Sequence, residues 1–518
     1  MTAGSTKKLY LHGLAASLVN LLVVSVYSLL VIRLSLTYLE KEEFGLLCLL
    51  SQVSGYISIL DLGLFTAFSR ILIDYTTGRQ DRYANALGTA ARVFNVLGFA
   101  GFLIACLVAF FGAATLSIPA HLQSKFEFLM LAQGVSLWIA FAVKPLSAPL
   151  VANGKHYLIY WLSSALFILN ALLFWLALRS GIGIYSSFLA SSVQLLVNVV
   201  CLWLFSRPYR AVGAARGAFD PSIFKEVLAF ARDSMLWQIG GQTLAALPIF
   251  LASAWFALDA TADLSAGMKL ILLMVSVCTR FGDMSVTPLS IEFAKGNEGA
   301  AATQMMRIAG VSGGIGACAA LFVVCVNPAF VSWWMLGKVS WAWHANVAGA
   351  LWIAILSVNQ CMYGFAVISR QMQLLRWALL SECLVYLIVA FLLRESAGQA
   401  CLLWAKPIAT LAIGCFLLMQ MGRHTQIETR RLIPCLVRQG VGLTIMLPPS
   451  IYLSQWIVNH VADQILALLA VSLLSCFVML VASLFLFSKE MRADAIRIVR
   501  QFVAKAKSQF FPSASEVL

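Results

Sequence analysis

The chain has 518 residues, of which 61% are hydrophobic and only 11% charged, with a formal net charge of +14. A soluble surface carries about 25% charged residues because it must be wetted, so this composition excludes an ordinary water-soluble domain, and a mean hydropathy of +0.88 points to lipid as the solvent. A basic balance alone would suggest nucleic acid. Here Lys and Arg fall between apolar runs, as loop charges of helical membrane proteins do, and no nucleic-acid partner is expected.

A transmembrane helix needs about 20 apolar residues. Such runs occur, in chain order, at 10–32, 44–67, 91–112, 127–151, 157–178, 183–206, 234–257, 266–290, 306–327, 346–368, 377–394, 398–421, 440–458 and 464–487. They are too long and too continuous for barrel strands. The first run is too long for a signal-peptide core and no cleavage site follows it, so it reads as a retained span. Only Arg33, Lys41, Lys125, Arg179, Lys338 and Arg394 fall in segments on one side, and Lys144, Lys269, Arg280 and Lys406 fall within spans, out of 36 Lys and Arg. Most of the others lie on the opposite side, which places both termini in the cytoplasm.

An internal repeat organises these runs. Asp74-Tyr75-Thr76-Thr77-Gly78 recurs as Glu292-Phe293-Ala294-Lys295-Gly296, and Gly63, Trp161 and Arg207 match Gly282, Trp377 and Arg423 at nearly the same offset. The predicted fold class is an all-α polytopic membrane protein of about 14 transmembrane helices, built as two parallel-repeat six-helix bundles plus two extra helices. The predicted divisions are 1–210 for the N-terminal bundle, 211–425 for the C-terminal bundle, 426–488 for the additional pair, and 489–518 for a basic amphipathic cytoplasmic tail. Parallel repeats of this kind suit transporters that rock one half against the other.

At the second run the sequence becomes recognisable. Glu43-Phe44-Gly45-Leu46 enters it, Ile59-Leu60-Asp61-Leu62-Gly63-Leu64 leaves it, and Arg70 and the Asp74–Gly78 segment follow. Over residues 40–95 in motif, and over most of the chain in topology, this resembles the polysaccharide transporter branch of the multidrug/oligosaccharidyl-lipid/polysaccharide exporter superfamily. That branch includes O-antigen and exopolysaccharide repeat-unit flippases. The resemblance implies movement of an undecaprenyl-pyrophosphate-linked oligosaccharide from the cytoplasmic to the periplasmic leaflet of a bacterial inner membrane. It also implies the lipid bilayer and polysaccharide polymerase or export machinery as partners. Such a cargo needs a polar path and Lys or Arg for its diphosphate.

Ionisable groups at membrane depth are functional candidates. Asp61 and Arg280 stand at repeat-equivalent positions and would make a cross-half ion pair; the alternatives are an Arg280–Asp283 pair one turn apart and a turn contact of Asp61 before Gly63. Lys406 and Lys144 are candidate substrate contacts, although Lys144 is close enough to the end of its run to reach the interface. Glu382 is the candidate for ion coupling, and Asp74 and Glu292 for a cytoplasmic rim. Trp333, Trp334, Trp341 and Trp343 suit an interfacial aromatic belt. The twelve Cys lie almost all inside apolar runs without CxxC, and the six His are scattered, so no catalytic residue, metal or cofactor is expected. The rival functions are a multidrug or other lipid-linked precursor exporter of the same superfamily and, in another class, a polymerase or glycosyltransferase.

Overall fold

The computed structural model describes residues 3–61, 63–77, 80–116, 118–210, 217–279, 298–335, 341–368, 372–424, 429–461 and 463–486. These residues form helices and short connections, as expected where every backbone polar group must be satisfied without water. Eleven described segments are long and apolar enough to cross a membrane, or twelve if the pair broken at Met268 counts as one span. One of the eleven, 373–420, holds two helices, and the shorter apolar stretch Ile239–Trp255 occupies the place of the predicted run 234–257. Each of the fourteen predicted runs thus has a helical counterpart.

The chain divides into two compact units, Met1–Ala266 and Gly267–Leu518. Unit 1 holds α1 (Ala3–Tyr38), α2 (Lys41–Ile57), α3 (Leu64–Thr77), α4 (Gln80–Thr115), α5 (Ala120–Val143), α6 (Ala148–Ala152), α7 (His156–Arg179), α8 (Ser186–Arg210), α9 (Pro221–Trp255) and α10 (Leu258–Gly267, whose last residue crosses the boundary). Its main pairings are α4 with α5, α1 with α7, α7 with α8, and α2 with α9.

The predicted run 44–67 is not one continuous helix. α2 stops at Ile57, a 3-10 turn carries Ser58–Asp61, and Gly63 takes φ 74° before α3 begins. That left-handed backbone suits glycine and penalises a side chain. The Asp61 carboxylate then accepts the Phe65 backbone N–H at 2.9 Å, satisfying a donor in the first turn of α3. Leu64, Ala67, Phe68, Ile71, Leu72 and Tyr75 recur at helical spacing and are buried, so α3 lays one apolar face against α4, α6 and α9.

A second break follows α5. Pro145 offers no N–H, and the chain tightens into a 3-10 turn over Lys144–Ser147 before α6.

Unit 2 holds α11 (Lys269–Thr279), α12 (Glu298–Trp334), α13 (Trp343–Ile368), α14 (Met372–Ala397), α15 (Cys401–His424), α16 (Thr429–His460) and α17 (Gln464–Leu486). α12 packs on α13, α16 and α17, and α14 and α15 form a hairpin through a three-residue turn. The Trp-rich stretch divides by environment: Trp343 is exposed, Trp334 is buried, and the Trp341 indole donates to Asn346 Oδ1 at 2.8 Å.

Candidate functional site

In unit 1 the two helix breaks face each other. Lys144, at the start of the turn after α5, forms an ion pair with Asp61, at the end of the turn after α2. The ammonium lies 5.6 Å from the Phe65 ring centroid, 5.9 Å from Phe94 and 5.6 Å from Phe141, within the range of cation–π attraction. Asp61 is 16% exposed and Lys144 35%, so the cation is accessible while its counter-ion is largely covered. Among the described residues, Asp61 therefore combines the turn contact with an ion pair inside its own unit.

At the other end of the same helices, Lys125 of α5 meets Glu43 of α2 at 2.6 Å, and Lys41 meets Asp263 of α10 at 2.8 Å. α2 and α5 thus run in the same direction, clasped at both ends, with the acid each time on α2 or the turn that follows it and the base on α5 or the turn that follows it. Gly45 sits against the Leu258 backbone carbonyl, where a Cβ would collide.

A polar rim surrounds the start of α4 and α9. Arg82 reaches Ser222 Oγ at 2.6 Å and Asp220 at 3.5 Å, the Tyr75 hydroxyl donates to Glu226 at 3.2 Å, and Thr89 accepts the Asp220 N–H at 2.9 Å. Asp220 caps α9 and its carboxyl is held below the ordinary range, first by the Ser222 hydroxyl and then by the Ser222 N–H. Asp74 lies in α3, but its side chain is outside the described residues. Arg280, Asp283, Glu292 and the tail 489–518 are also outside them.

Unit 1 also contains a network of uncharged polar groups, which the pattern of charges in the sequence does not reveal. The Tyr27 hydroxyl donates to Asn170 Oδ1 at 2.7 Å, Asn170 donates to Gln194 Oε1 at 2.7 Å, and Asn20 donates to Ser164 Oγ at 3.1 Å. Beside Gln194 lies a cavity of about 210 Å³ between α5, α7 and α8. In the sequence these groups show as Gln194 and Asn198, one turn apart within a long hydrophobic run.

In unit 2, Glu382 of α14 is 1% exposed. Its carboxylate accepts the Thr410 hydroxyl at 2.7 Å and the Tyr363 hydroxyl at 3.1 Å. Asn359 donates to the Thr410 carbonyl at 2.8 Å. Lys406, one turn before Thr410, is 4% exposed, with its ammonium 4.3 Å from the Trp352 ring centroid. The sequence candidates Glu382 and Lys406 therefore share one buried polar cluster on neighbouring helices, which also contains the unanticipated Tyr363 and Thr410.

No protein-family model matches the chain, and no curated protein does. Solved structures do match it. The lipid II flippase MurJ in an inward closed conformation aligns with a TM-score of 0.68 at 12% identity, over 91% of this chain and 98% of its own. An inward-facing multidrug resistance MATE family transporter of the MOP superfamily aligns with a TM-score of 0.67 at 12% identity, over 81% and 99%. A eukaryotic MATE transporter aligns with a TM-score of 0.57 at 17% identity, over 82% and 98%. The chain shares the fold of these structures, and the match takes in nearly the whole length of each.

Proposed function

We propose that the chain is a transporter, and not an enzyme, that moves undecaprenyl-pyrophosphate-linked oligosaccharide repeat units from the cytoplasmic to the periplasmic leaflet of a bacterial inner membrane. Transport proceeds by alternating access between the two halves of the repeat, 1–210 and 211–425, with 426–488 as an appended helix pair. Both termini are cytoplasmic, and the units handed over serve a polymerase or export system for surface polysaccharide.

The observation that carries this reading is a fold shared over nine-tenths of the chain with a lipid II flippase. The membrane-embedded bases suit the anionic head group. Lys144 is already neutralised by Asp61, so an incoming diphosphate exchanges one counter-ion for another instead of meeting a bare charge. That exchange releases the joint between α2 and α3 and couples cargo binding to movement. Lys406 and Arg280 are further candidate contacts for the head group, with Asp283 as the partner of Arg280. Glu382 is the candidate coupling group, and Asp74 and Glu292 belong to the cytoplasmic rim.

The test is a deletion strain assayed for lipid-linked repeat units on each leaflet. Accumulation on the inner leaflet with loss of surface glycan is the expected result. Unpolymerised repeats reaching the outer leaflet would identify a polymerase, and increased drug sensitivity with intact glycan would identify a multidrug exporter.

A further inference from the structure

The cavity between α5, α7 and α8 differs chemically from the rest of unit 1. Its polar lining comes from Gln133, Ser136, Ser191, Gln194 and Asn198, and its apolar lining includes Leu137 and Leu166; among the described residues no charged side chain lines it. Gln133 and Asn198 lie well inside segments long enough to cross a membrane, 120–152 and 183–209. Among the described residues, no hydrogen bond satisfies the side chains of Gln133, Ser191 or Asn198. Amides and hydroxyls at such depth cost several kcal/mol each when left without partners. Three of them converging on one space mark a place that is filled by polar matter.

The position of the cavity indicates what fills it. Gln133, Ser136, Leu137 and Ala140 follow one face of α5, and the next position on that face is Lys144. At ~1.5 Å per residue, Ala140 lies ~6 Å and Gln133 ~16 Å along the helix from Lys144. A ligand whose anionic group sits at Lys144 therefore extends its neighbouring portion along this stripe. The volume of about 210 Å³ lies below the range of drug-sized pockets. It is room enough for one sugar ring. Amide and hydroxyl groups match the hydroxyls of the ring, and Leu137 and Leu166 match its C–H faces.

We infer that this cavity is a subsite for one neutral sugar, the residue attached directly to the diphosphate. A lining without a cation among the described residues selects against a carboxylated sugar, since a buried carboxylate needs a partner. The inference rests on the reading of Lys144 as the diphosphate contact.

The experiment uses the full chain in nanodiscs and four probes: farnesyl diphosphate, and farnesyl diphosphate carrying N-acetylglucosamine, galactose or glucuronic acid. At least one neutral sugar should tighten binding tenfold or more over bare farnesyl diphosphate, and glucuronic acid should not. Gln133→Leu and Asn198→Leu should each reduce that gain to under threefold. Neither substitution removes a hydrogen bond present in the structure, and the bare probe, which lacks the ring, checks folding. The subsite is refuted if no neutral sugar adds affinity, if glucuronic acid binds best, or if the gain survives both substitutions. Lys144→Gln separates the two ideas. If it leaves the bare probe untouched while the sugar gain still depends on Gln133 and Asn198, the diphosphate reading fails and the sugar subsite stands.

Discussion

Asp61 and Lys144 close one end of the helix pair whose other end is closed by Glu43 and Lys125. From Glu43 to Asp61 the chain rises about 27 Å at helical pitch, close to the ~30 Å thickness of a hydrocarbon core. The two clasps therefore stand about one hydrocarbon thickness apart along the chain. The Asp61 clasp carries an extra duty, because the same carboxylate holds the Phe65 N–H.

The two partners should respond differently to substitution. Lys144→Gln removes a partly exposed ion pair, worth up to about 1 kcal/mol. Asp61→Ala removes the pair and also a helix-start contact, typically about 1 kcal/mol more. Thermal unfolding in detergent should thus show Asp61→Ala as the more destabilised. In a flipping assay both should lose most activity. The double reversal Asp61→Lys with Lys144→Asp should recover activity only in part, since a lysine cannot accept the Phe65 N–H. Full recovery would remove the capping role from the account.

Much of this architecture was legible in the sequence, for a physical reason. Spanning segments must be long and apolar, so each run announced its helix, and the break after α2 could be suspected from Asp61 and Gly63 together. Partner choice was not legible. Asp61 and Lys144 are 83 residues apart, and only the parallel packing of α2 and α5 brings them together; the repeat directed attention to Arg280 instead. The amide network escaped notice because single Asn and Gln residues barely alter the hydropathy of a run, whereas Glu382 and Lys406 stood out by their charge.

The Glu382 cluster should be sensitive to the loss of hydroxyl donors. Tyr363→Phe and Thr410→Val each remove one hydrogen bond to the carboxylate. Interhelical hydrogen bonds in membranes are worth about 0.6 kcal/mol on average and at most about 1.7, so each variant should remain folded. If Glu382 couples transport to an ion, Glu382→Gln should retain substrate binding and exchange while losing gradient-driven accumulation in proteoliposomes. Accumulation at the wild-type rate would dismiss the coupling role.

Gly45 explains part of the motif that opens α2. A Cβ there would meet the Leu258 backbone carbonyl, and backbone cannot move aside as a flexible side chain can. Gly45→Ala should separate α2 from the start of α10 and weaken the nearby Lys41–Asp263 pair. A destabilisation of 1–3 kcal/mol, the usual cost of overpacking, is expected on thermal unfolding. Gly55→Ala in the same helix, where a Cβ meets nothing within 4 Å, should be neutral or slightly stabilising, because alanine is the better helix former.

Asn327 should prove structural. It is fully buried in α12 and donates to the Gly267 carbonyl at 3.1 Å and to Asn346 Oδ1 at 2.6 Å. The carbonyl stands immediately before the break at Met268, where regular helix pairing is interrupted. Asn327→Leu leaves that buried acceptor without this donor, at a cost of about 1–3 kcal/mol. Asn327→Asp fares no better, because an ionised carboxylate offers no donor and faces the Asn346 oxygen. Asn327→Gln keeps the donor but lengthens the side chain in a packed interior, so it should be intermediate. The order wild type, Gln, then Leu and Asp in unfolding midpoint is the expected result. A Leu variant as stable as wild type would mean that water or another group already serves the Gly267 carbonyl.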